Sequence, residues 1–217
     1  MLDSVTGELT VGLAPSAIVF GVDEVGRGSW AGPAEVGVAS ISVGDLQRVL
    51  DDPGIMGAID DSKKLSPKRR LAGLEVARAH FGLNVGAASA GECDELGLSG
   101  ALKLAFERAV FALDLDTEAT LILLDGKFNY LGRNNVKTVI GGDRASVVMA
   151  AASLAAKVHR DALMCQLATQ FTHWHFEENK GYGSPAHAAA LRSHGLCAIH
   201  RRSWRFVDHL ELDVSRD

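Results

Sequence analysis

The sequence predicts an α/β domain in which a mixed β-sheet is flanked by helices. Strand patterns come first along the chain, and an alternation of helices and strands follows. This order favours a sheet with both parallel and antiparallel neighbours. The chain has 217 residues, of which 47% are hydrophobic, and this is enough apolar surface for one well-buried core. We therefore expect residues 1–217 to form a single domain, with its core over about residues 18–171.

Five segments have the composition of strands. Residues 18–23 form a short apolar run, and residues 35–43, after Pro33, alternate in the manner of a second strand. Glycines between the two segments supply the turn. The other three predicted strands cover residues 83–90, 119–126 and 136–142.

Three longer helices are predicted between and after these strands. The first begins with Ser66 as N-cap and Pro67 at the first helical position. Residues 99–114 are apolar at helical spacing. The longest helix, from Ser146 to about Phe171, is rich in alanine, so it can lie close against a sheet. Residues 172–217 predict a small C-terminal region of loops and short helices.

Composition argues against a membrane or secreted protein. No run approaches the roughly 20 apolar residues that span a bilayer, and the first residues lack a basic stretch followed by an apolar one. The three cysteines, Cys93, Cys165 and Cys197, form no CxxC pair, as expected of reduced thiols. We therefore expect a cytoplasmic protein. The net charge of −5 does not decide whether nucleic acid binds, because local patches matter more than totals.

Four acidic residues are predicted to meet at one edge of the sheet. Asp23 ends the first strand and Glu24 follows it, where a turn lets neighbouring side chains share one site. Asp125 ends the fourth strand, and Asp143 lies between the fifth strand and the longest helix. Carboxylates held close together repel one another unless cations lie among them. Oxygen ligands without histidine or cysteine suit Mg²⁺ or Mn²⁺, and a pair of such ions can promote phosphodiester cleavage.

The spacing of these acids leaves a simpler interpretation open. In that interpretation Asp143 caps a helix, Asp125 begins a turn before Gly126, and Asp23 and Glu24 face solvent. Spacing alone does not choose between a metal site and these local roles.

Six sequence blocks carry a resemblance to a known family. They are "GVDEVGRGSWAGP", "DDSKKLSPKRR", "LLDG", "GGDRASVVMAAASLAAKVHRD", "KGYGSPAH" and "IHRRSW". Their order and separations resemble those of the type 2 ribonucleases H, and the chain is closely similar to bacterial ribonuclease HII. The resemblance runs from about Ile18 to Trp204.

The resemblance implies a ribonuclease H-like fold and an endonuclease that acts by two-metal-ion catalysis. Such an enzyme hydrolyses the RNA strand of RNA/DNA hybrids, cleaves at single ribonucleotides embedded in duplex DNA, and leaves 5′-phosphate ends. The family's catalytic and metal-binding acids fall on Asp23, Glu24, Asp125 and Asp143, and the implied cofactor is Mg²⁺ or Mn²⁺. The implied partners are RNA/DNA hybrids and ribonucleotide-containing DNA, and we expect a monomer.

The resemblance also implies how substrate is recognised. The family's glycine-arginine-glycine turn falls on Gly26, Arg27 and Gly28, and its sugar-stacking tyrosine falls on Tyr182. Together these groups sense the ribose 2′-hydroxyl and the following nucleotide. Glycines let the backbone approach a sugar without an intervening side chain, which suits this task.

A basic cluster near residue 65 has two interpretations. The match to the family's "DSKKL" block implies that Ser62 and Lys63 contact phosphate. A solvated helix start is the alternative. The cluster comprises Lys63, Lys64, Lys68, Arg69 and Arg70.

Three positions depart from the family pattern. Ser29 stands where proline is common, Gly141 where lysine is usual, and Gly97 where asparagine is frequent. We expect the change at Ser29 to loosen the first turn. We expect the change at Gly141 to remove one positive charge beside Asp143.

Several other residues keep more than one interpretation. Lys157 lies on the same helical face as Ser153 and either points toward the site or extends into solvent. The block with His200, Arg201 and Arg202 either contacts phosphate or pins the C-terminal region to the sheet. A further HxH pattern, spacing that zinc sites sometimes use, is expected to be only a surface loop. It is formed by His173 and His175.

Two other functions are compatible with parts of this pattern. Ribonuclease HIII carries a substantial domain before its catalytic acids, whereas Asp23 comes early here, and the glycine-arginine-glycine turn also favours ribonuclease HII. A catalytically inactive hybrid-binding protein on the same fold is the other alternative, and the sequence leaves it open; loss of one metal-binding acid would be its simplest sign. All four are present.

Overall fold

The computed structural model describes residues 4–59, 65–113 and 121–211. The strands are β1 (Ile18–Val25), β2 (Ala34–Ser42), β3 (Gly82–Ala88), β4 (Leu121–Asp125) and β5 (Val136–Val139). They form one five-stranded sheet in the order β3-β2-β1-β4-β5. β2 runs antiparallel to β1 and β3, whereas β4 runs parallel to β1 and β5. The predicted mixed five-stranded sheet is confirmed.

Helices precede, separate and follow the strands. They are α1 (Ser4–Thr10), α2 (Val43–Leu50), α3 (Pro53–Ala58), α4 (Pro67–His80), α5 (Ala90–Phe111), α6 (Gly142–Ala145), α7 (Val147–Ala168), α8 (Phe176–Asn179), α9 (Pro185–His194) and α10 (Arg205–His209). The sequence predicted α4, most of α5, α7 and the short C-terminal helices, but it missed α1, α2, α3 and α6. None of the described helices is both long and apolar enough to cross a bilayer.

Local capping explains two of the helix starts. The Ser66 hydroxyl accepts a hydrogen bond from the Arg69 backbone at 3.4 Å, and this confirms the predicted N-cap of α4. α5 begins at Ala90 rather than at Ser99, because Ser89 and Glu92 form a reciprocal capping box. The helix is interrupted at Gly97, whose φ of 67° is left-handed and therefore suits glycine.

The sheet is buried between α5 on one face and α7 on the other. Phe20 and Val22 of β1 pack in the cluster that includes α5. Gly21, between them, faces α7, and a Cβ there would lie 2.4 Å from the Val148 carbonyl carbon. Gly37 of β2 is equally close to α7. The alanine-rich helix therefore lies directly against the sheet, as its small side chains predict.

The C-terminal helices pack around a separate apolar cluster that reaches the β1–β2 turn. Trp30, in that turn, stacks on Phe206 with ring centroids 4.9 Å apart. The backbone N–H groups of Trp30 and Ala31 both donate to the carbonyl of Gly181. These contacts bring the segment around Gly181 to the end of β1, where two of the predicted catalytic acids lie.

Candidate active site

Parallel pairing brings the ends of β1 and β4 to the same edge of the sheet. Val22 pairs with Leu124, so the next residues on the two strands, Asp23 and Asp125, lie at neighbouring positions. The Gly142 backbone donates to the Asp125 carboxylate (N to Oδ1, 2.8 Å), which joins the start of α6 to β4. Asp143, the next residue, therefore lies at this edge as well. The predicted convergence of strand ends is confirmed.

β1 does not end where the sequence predicted. It continues to Val25 and keeps its pairing with β2 over Asp23 and Glu24. Its paired positions with β4 stop at Val22. Asp23 and Glu24 line one cleft while both still belong to the strand, so a turn is not needed to bring them to one site.

The pKa of Glu24 is raised above its ordinary value. Burial raises the pKa of Glu24, the nearby Asp125 raises it further, and a contact with Arg27 (Nη1 to Oε1, 3.1 Å) opposes the change. Its other oxygen, Oε2, is buried and has no hydrogen-bond partner among the described residues. Such an atom is costly to leave uncompensated, so this carboxylate is suited to a cation.

Tyr130 lies next to the same acids, and the sequence gave no signal for it. Burial raises the pKa of Tyr130 well above its ordinary value, and the charges of Glu24, Asp23 and Asp125 raise it further. Its hydroxyl is buried with no hydrogen-bond partner in the described parts of the chain. A tyrosine in a loop five positions after a strand end matches no catalytic pattern that could have identified it.

Two of the carboxylates contact protein groups beside them. Asp23 Oδ1 accepts from the backbone of Glu24 at 2.8 Å, and Asp143 lies 3.8 Å from the Arg144 Nε. Over residues 4–59, 65–113 and 121–211, no three Asp, Glu, His or Cys side chains are already arranged as a metal-binding set. The acids thus share one edge, where Asp23, Glu24 and Asp125 face a common cleft.

A cleft of about 410 Å³ opens beside three of the four acids, and Asp143, which is buried, is not part of its lining. Ser153 and Lys157 of α7 form part of its wall, and Lys157 Nζ donates to Asp161 at 2.7 Å. Lys157 therefore borders the cleft while engaged in an ion pair. The remaining lining residues are Asp23, Glu24, Val25, Gly26, Arg27, Gly28, Asp125, Ala156 and Tyr182.

The predicted recognition residues of the glycine-arginine-glycine turn and Tyr182 meet in this cleft. The backbone N–H of Gly26 donates to the Tyr182 hydroxyl at 3.0 Å. Gly26 has a φ of 80°, and a Cβ there would lie 2.5 Å from Arg160 Nη1. Gly28 has open space where a Cβ would project, so its backbone can be approached. Ser62 and Lys63, the other predicted contacts, lie outside the described residues.

Two buried arginines hold this turn, and sequence reasoning missed one of them. Arg160 donates to the carbonyls of Pro33, Ala31 and Lys180 and to the Ser29 hydroxyl, at 2.6 to 3.1 Å. In the sequence it lies in the alanine-rich helix, and an arginine in a helix usually lies on its solvated face.

Arg201 is the second of these arginines and also lies beneath the turn. It donates to the carbonyls of Gly32, Arg27 and Pro33 at 2.8 to 3.2 Å. Of the two roles that the sequence left open for it, the structure shows the structural one. Burial lowers the pKa of Arg201 to about 10, which still leaves the guanidinium charged at neutral pH.

The histidines of the C-terminal region are also accounted for by packing. His200 is buried, accepts from the Cys197 backbone and lies 3.0 Å from His187 (Nε2 to Nε2). Burial lowers the pKa of His200 to about 3. His173 and His175 are exposed, and His173 stacks on His194, so the HxH pattern is a surface loop as expected.

The departures at Ser29 and Gly141 are compensated locally. The Ser29 hydroxyl donates to the Gly26 carbonyl at 2.9 Å and accepts from Arg160, so the turn is held together rather than loosened. Gly141 has a left-handed φ of 66° before α6. The exposed Arg144, 3.8 Å from Asp143, supplies a positive charge that lysine at position 141 would have provided.

Comparison with known proteins gives a consistent result. The family model described as Ribonuclease HII matches residues 20–207. The chain is 43% identical over 195 residues to a ribonuclease HII of Streptomyces avermitilis, covering 89% of this chain and 79% of the relative. It is 39% identical to one of Novosphingobium aromaticivorans, covering 90% and 99%. A solved ribonuclease H2 from Pyrococcus horikoshii has a TM-score of 0.68 at 27% identity, covering 89% and 97%.

Proposed function

The chain belongs to the ribonuclease HII family, and from this premise we propose that it cleaves single ribonucleotides embedded in duplex DNA by two-metal-ion catalysis. It is an endoribonuclease of the class that hydrolyses the RNA strand of RNA/DNA hybrids. The proposal extends that activity to a substrate in which one sugar alone distinguishes the target. It therefore needs a site that reads the sugar beside a site that cleaves the phosphate.

The observation that carries this proposal is the hydrogen bond between Gly26 and Tyr182 beside the acids. It fixes an aromatic ring against a turn whose backbone is exposed at Gly28. Backbone groups at such a turn can hydrogen-bond a 2′-hydroxyl, which is the group that distinguishes RNA from DNA. Base identity plays no part in this arrangement, so we expect cleavage with little sequence preference.

The residues that would hold the ions are Asp23, Glu24, Asp125 and Asp143. Their donors are all carboxylate oxygens, and the buried Glu24 Oε2 is an uncompensated acceptor that a hard cation would satisfy. Bound Mg²⁺ or Mn²⁺ would supply an activated water and stabilise the leaving oxygen.

The protein's own groups prepare this site for a negatively charged substrate. Arg27 holds one oxygen of Glu24, and the Gly142 backbone orients Asp125. Lys157 borders the cleft from α7, where Asp161 holds its ammonium group at 2.7 Å. These contacts limit the rearrangement that is needed when ions and substrate arrive.

The test compares three duplexes of one sequence: all DNA, DNA with one internal ribonucleotide, and an RNA/DNA hybrid. We expect Mg²⁺- or Mn²⁺-dependent cleavage of the latter two, with 5′-phosphate ends, and no cleavage of the first. Cleavage of the hybrid alone would overturn the proposal for embedded ribonucleotides. Binding of both substrates without cleavage would favour the inactive hybrid-binding alternative.

A further inference from the structure

Two large apolar side chains are exposed beside the acids, on the far side of the sheet edge from the glycine turn. Phe128 is 74% exposed and Ile140 is 72% exposed. They follow the C-terminal ends of β4 and β5, where Asp125 pairs with Val139. Both residues therefore lie at the same edge of the sheet as Asp125.

The exposure of Phe128 does not come from a loose loop. The Asn129 side chain accepts from the Gly132 backbone at 3.0 Å and donates to the Arg133 carbonyl at 2.9 Å. Leu131 is buried in the main core at 2% exposure. The loop is thus anchored immediately after Phe128, and its apolar residues divide between the core and the solvent.

The surrounding charge indicates what covers these side chains. Residues 126–142 contain Lys127, Arg133 and Lys137 and no acidic residue, although the whole chain carries a net charge of −5. Lys127 and Lys137 are exposed. Lys137 lies on the edge strand β5, where a lysine is also useful because it prevents pairing with another strand. Lys127 lies in the loop after β4, so that explanation does not apply to it. Phe128 and Ile140 thus lie within a basic segment. This combination suits nucleic acid, which has negative phosphates and flat apolar base faces.

We propose that Phe128, Ile140, Lys127 and Lys137, which we call the β4–β5 surface, form a second contact for the nucleic-acid duplex. This inference rests on the proposed function and adds to it a contact outside the cleft. Phe128 packs against a sugar or base of the duplex, and the two lysines contact phosphates.

The position of the β4–β5 surface determines what it contributes. In the strand order β3-β2-β1-β4-β5, the glycine turn leaves β1 toward β2, whereas Phe128 and Ile140 follow β4 and β5. The duplex is therefore contacted on both sides of the scissile phosphate, by the glycine turn and by the β4–β5 surface. Only the glycine turn recognises the sugar. The β4–β5 surface strengthens binding of a single-ribonucleotide duplex and of a hybrid alike.

The test uses Phe128→Ala in the full chain, with Phe111→Ala as the matched control. Phe111 is 88% exposed and ends α5, and the chain next enters β4 at its opposite end, away from Asp125. We measure kcat and KM on both substrates, and Kd by fluorescence anisotropy of a labelled hybrid in EDTA. Base–aromatic contacts contribute about 1–3 kcal/mol, so Phe128→Ala should raise Kd and KM at least about fivefold.

Other readouts separate this contact from general damage. In Phe128→Ala, kcat at saturating substrate and the ratio between the two substrates should stay within about twofold of wild type. Replacing Lys127 and Lys137 by alanine should reduce the slope of log Kd against log salt by about two.

Several outcomes would overturn the inference. One is a Phe128→Ala variant that matches Phe111→Ala in Kd, and another is a loss confined to one substrate. A third is a wild-type dimer that Phe128→Ala converts to monomer without changing Kd, since the occupant would then be a second copy of the chain. If wild type cleaves neither substrate, the proposed function fails, while the anisotropy comparison still tests the β4–β5 surface separately.

Discussion

The backbone N–H of Gly26 donates to the hydroxyl of Tyr182 across 3.0 Å, and this bond joins residues 156 positions apart in the chain. Arg160 lies 5.6 Å from the centre of the Tyr182 ring and also donates to the carbonyl of Lys180. The turn that follows the first two acids and the loop that carries the tyrosine are therefore one structural unit. Substitutions in either part should affect how the cleft distinguishes sugars.

Replacing Tyr182 should separate the two substrates. We expect Tyr182→Ala to reduce cleavage at a single ribonucleotide at least about tenfold more than cleavage of a continuous hybrid, where neighbouring positions offer alternatives. Tyr182→Phe keeps the ring and should lose less activity. Rates for both variants are compared on both duplexes at one salt and metal concentration.

The same substitutions also test the hydrogen bond to Gly26. Tyr182 is half-buried and its hydroxyl accepts a hydrogen bond from the Gly26 backbone. We therefore expect Tyr182→Ala to lower the free energy of unfolding by about 1–2 kcal/mol. Equal losses of rate on the two duplexes would show that Tyr182 supports binding in general, and no loss would remove it from the site.

Removing Arg160 should destabilise the whole unit. Arg160→Ala removes the donor to the carbonyls of Ala31 and Lys180 and one of the two arginine donors to the Pro33 carbonyl, and it creates a cavity. We expect a loss of about 3 kcal/mol or more in the free energy of unfolding, measured by urea denaturation.

A surface arginine and a partner of Arg160 provide the controls. Arg192 is exposed on α9, and Arg192→Ala should change stability by less than about 0.5 kcal/mol. Ser29→Ala removes one hydroxyl that accepts from Arg160, so its effect should be less than additive with Arg160→Ala. Full additivity of these two substitutions would contradict the contact.

Replacing Asp125 by asparagine should abolish turnover without unfolding the protein. Asparagine keeps the oxygen that accepts from the Gly142 backbone, so we expect a stability change below about 1 kcal/mol. Loss of the negative charge that holds the ions should reduce kcat by at least about a hundredfold. Cleavage rates, Mn²⁺ titration and thermal unfolding are measured on the same preparation.

The wild-type protein supplies the companion experiment. We expect it to be inactive in EDTA and to recover when excess Mg²⁺ or Mn²⁺ is added, because the site offers oxygen ligands only. Full activity in the chelator would refute metal dependence. A fully active Asp125→Asn variant would show that Asp125 serves only as a turn residue.

The pair formed by His159 and Glu35 should make stability depend on pH. His159 Nδ1 lies 3.4 Å from the buried Glu35 Oε2, and this carboxylate raises the pKa of His159 above its ordinary value of 6.5. Because the pKa of His159 is higher in the folded state, its protonated ring stabilises the protein fully at pH values below its pKa in the unfolded chain. This stabilisation is lost as the pH rises from 6.5 through the folded-state pKa.

His159→Gln tests this dependence. The variant should have a lower Tm than wild type at about pH 5.5 and a similar Tm at about pH 8.5. Because His159 is half-exposed, solvent weakens the pair, and we expect a difference of no more than about 2–4 °C at the lower pH. The same Tm difference at both pH values would mean that the ring contributes only through packing.

The sequence by itself determined those features that depend on short-range patterns. The apolar runs that became β1 and β4, the N-cap at Ser66 and the alanine-rich α7 all follow from periodicity and capping within a few residues. The position of Asp125 at the end of β4 belongs to the same class, whereas the end of β1 was predicted too early. The family resemblance then identified which of these acids to consider together.

Only the tertiary structure decided how distant segments complete one another. Arg160 and Arg201 are buried because carbonyls from the β1–β2 turn surround their guanidinium groups, and no local pattern records those partners. Tyr130 approaches the acids only because β4 and β1 are adjacent in the sheet. The burial of a charge or a hydroxyl depends on groups that are far away in the chain. Strand and helix periods depend on sequence neighbours, so the sequence shows the periods and only the fold shows the burial.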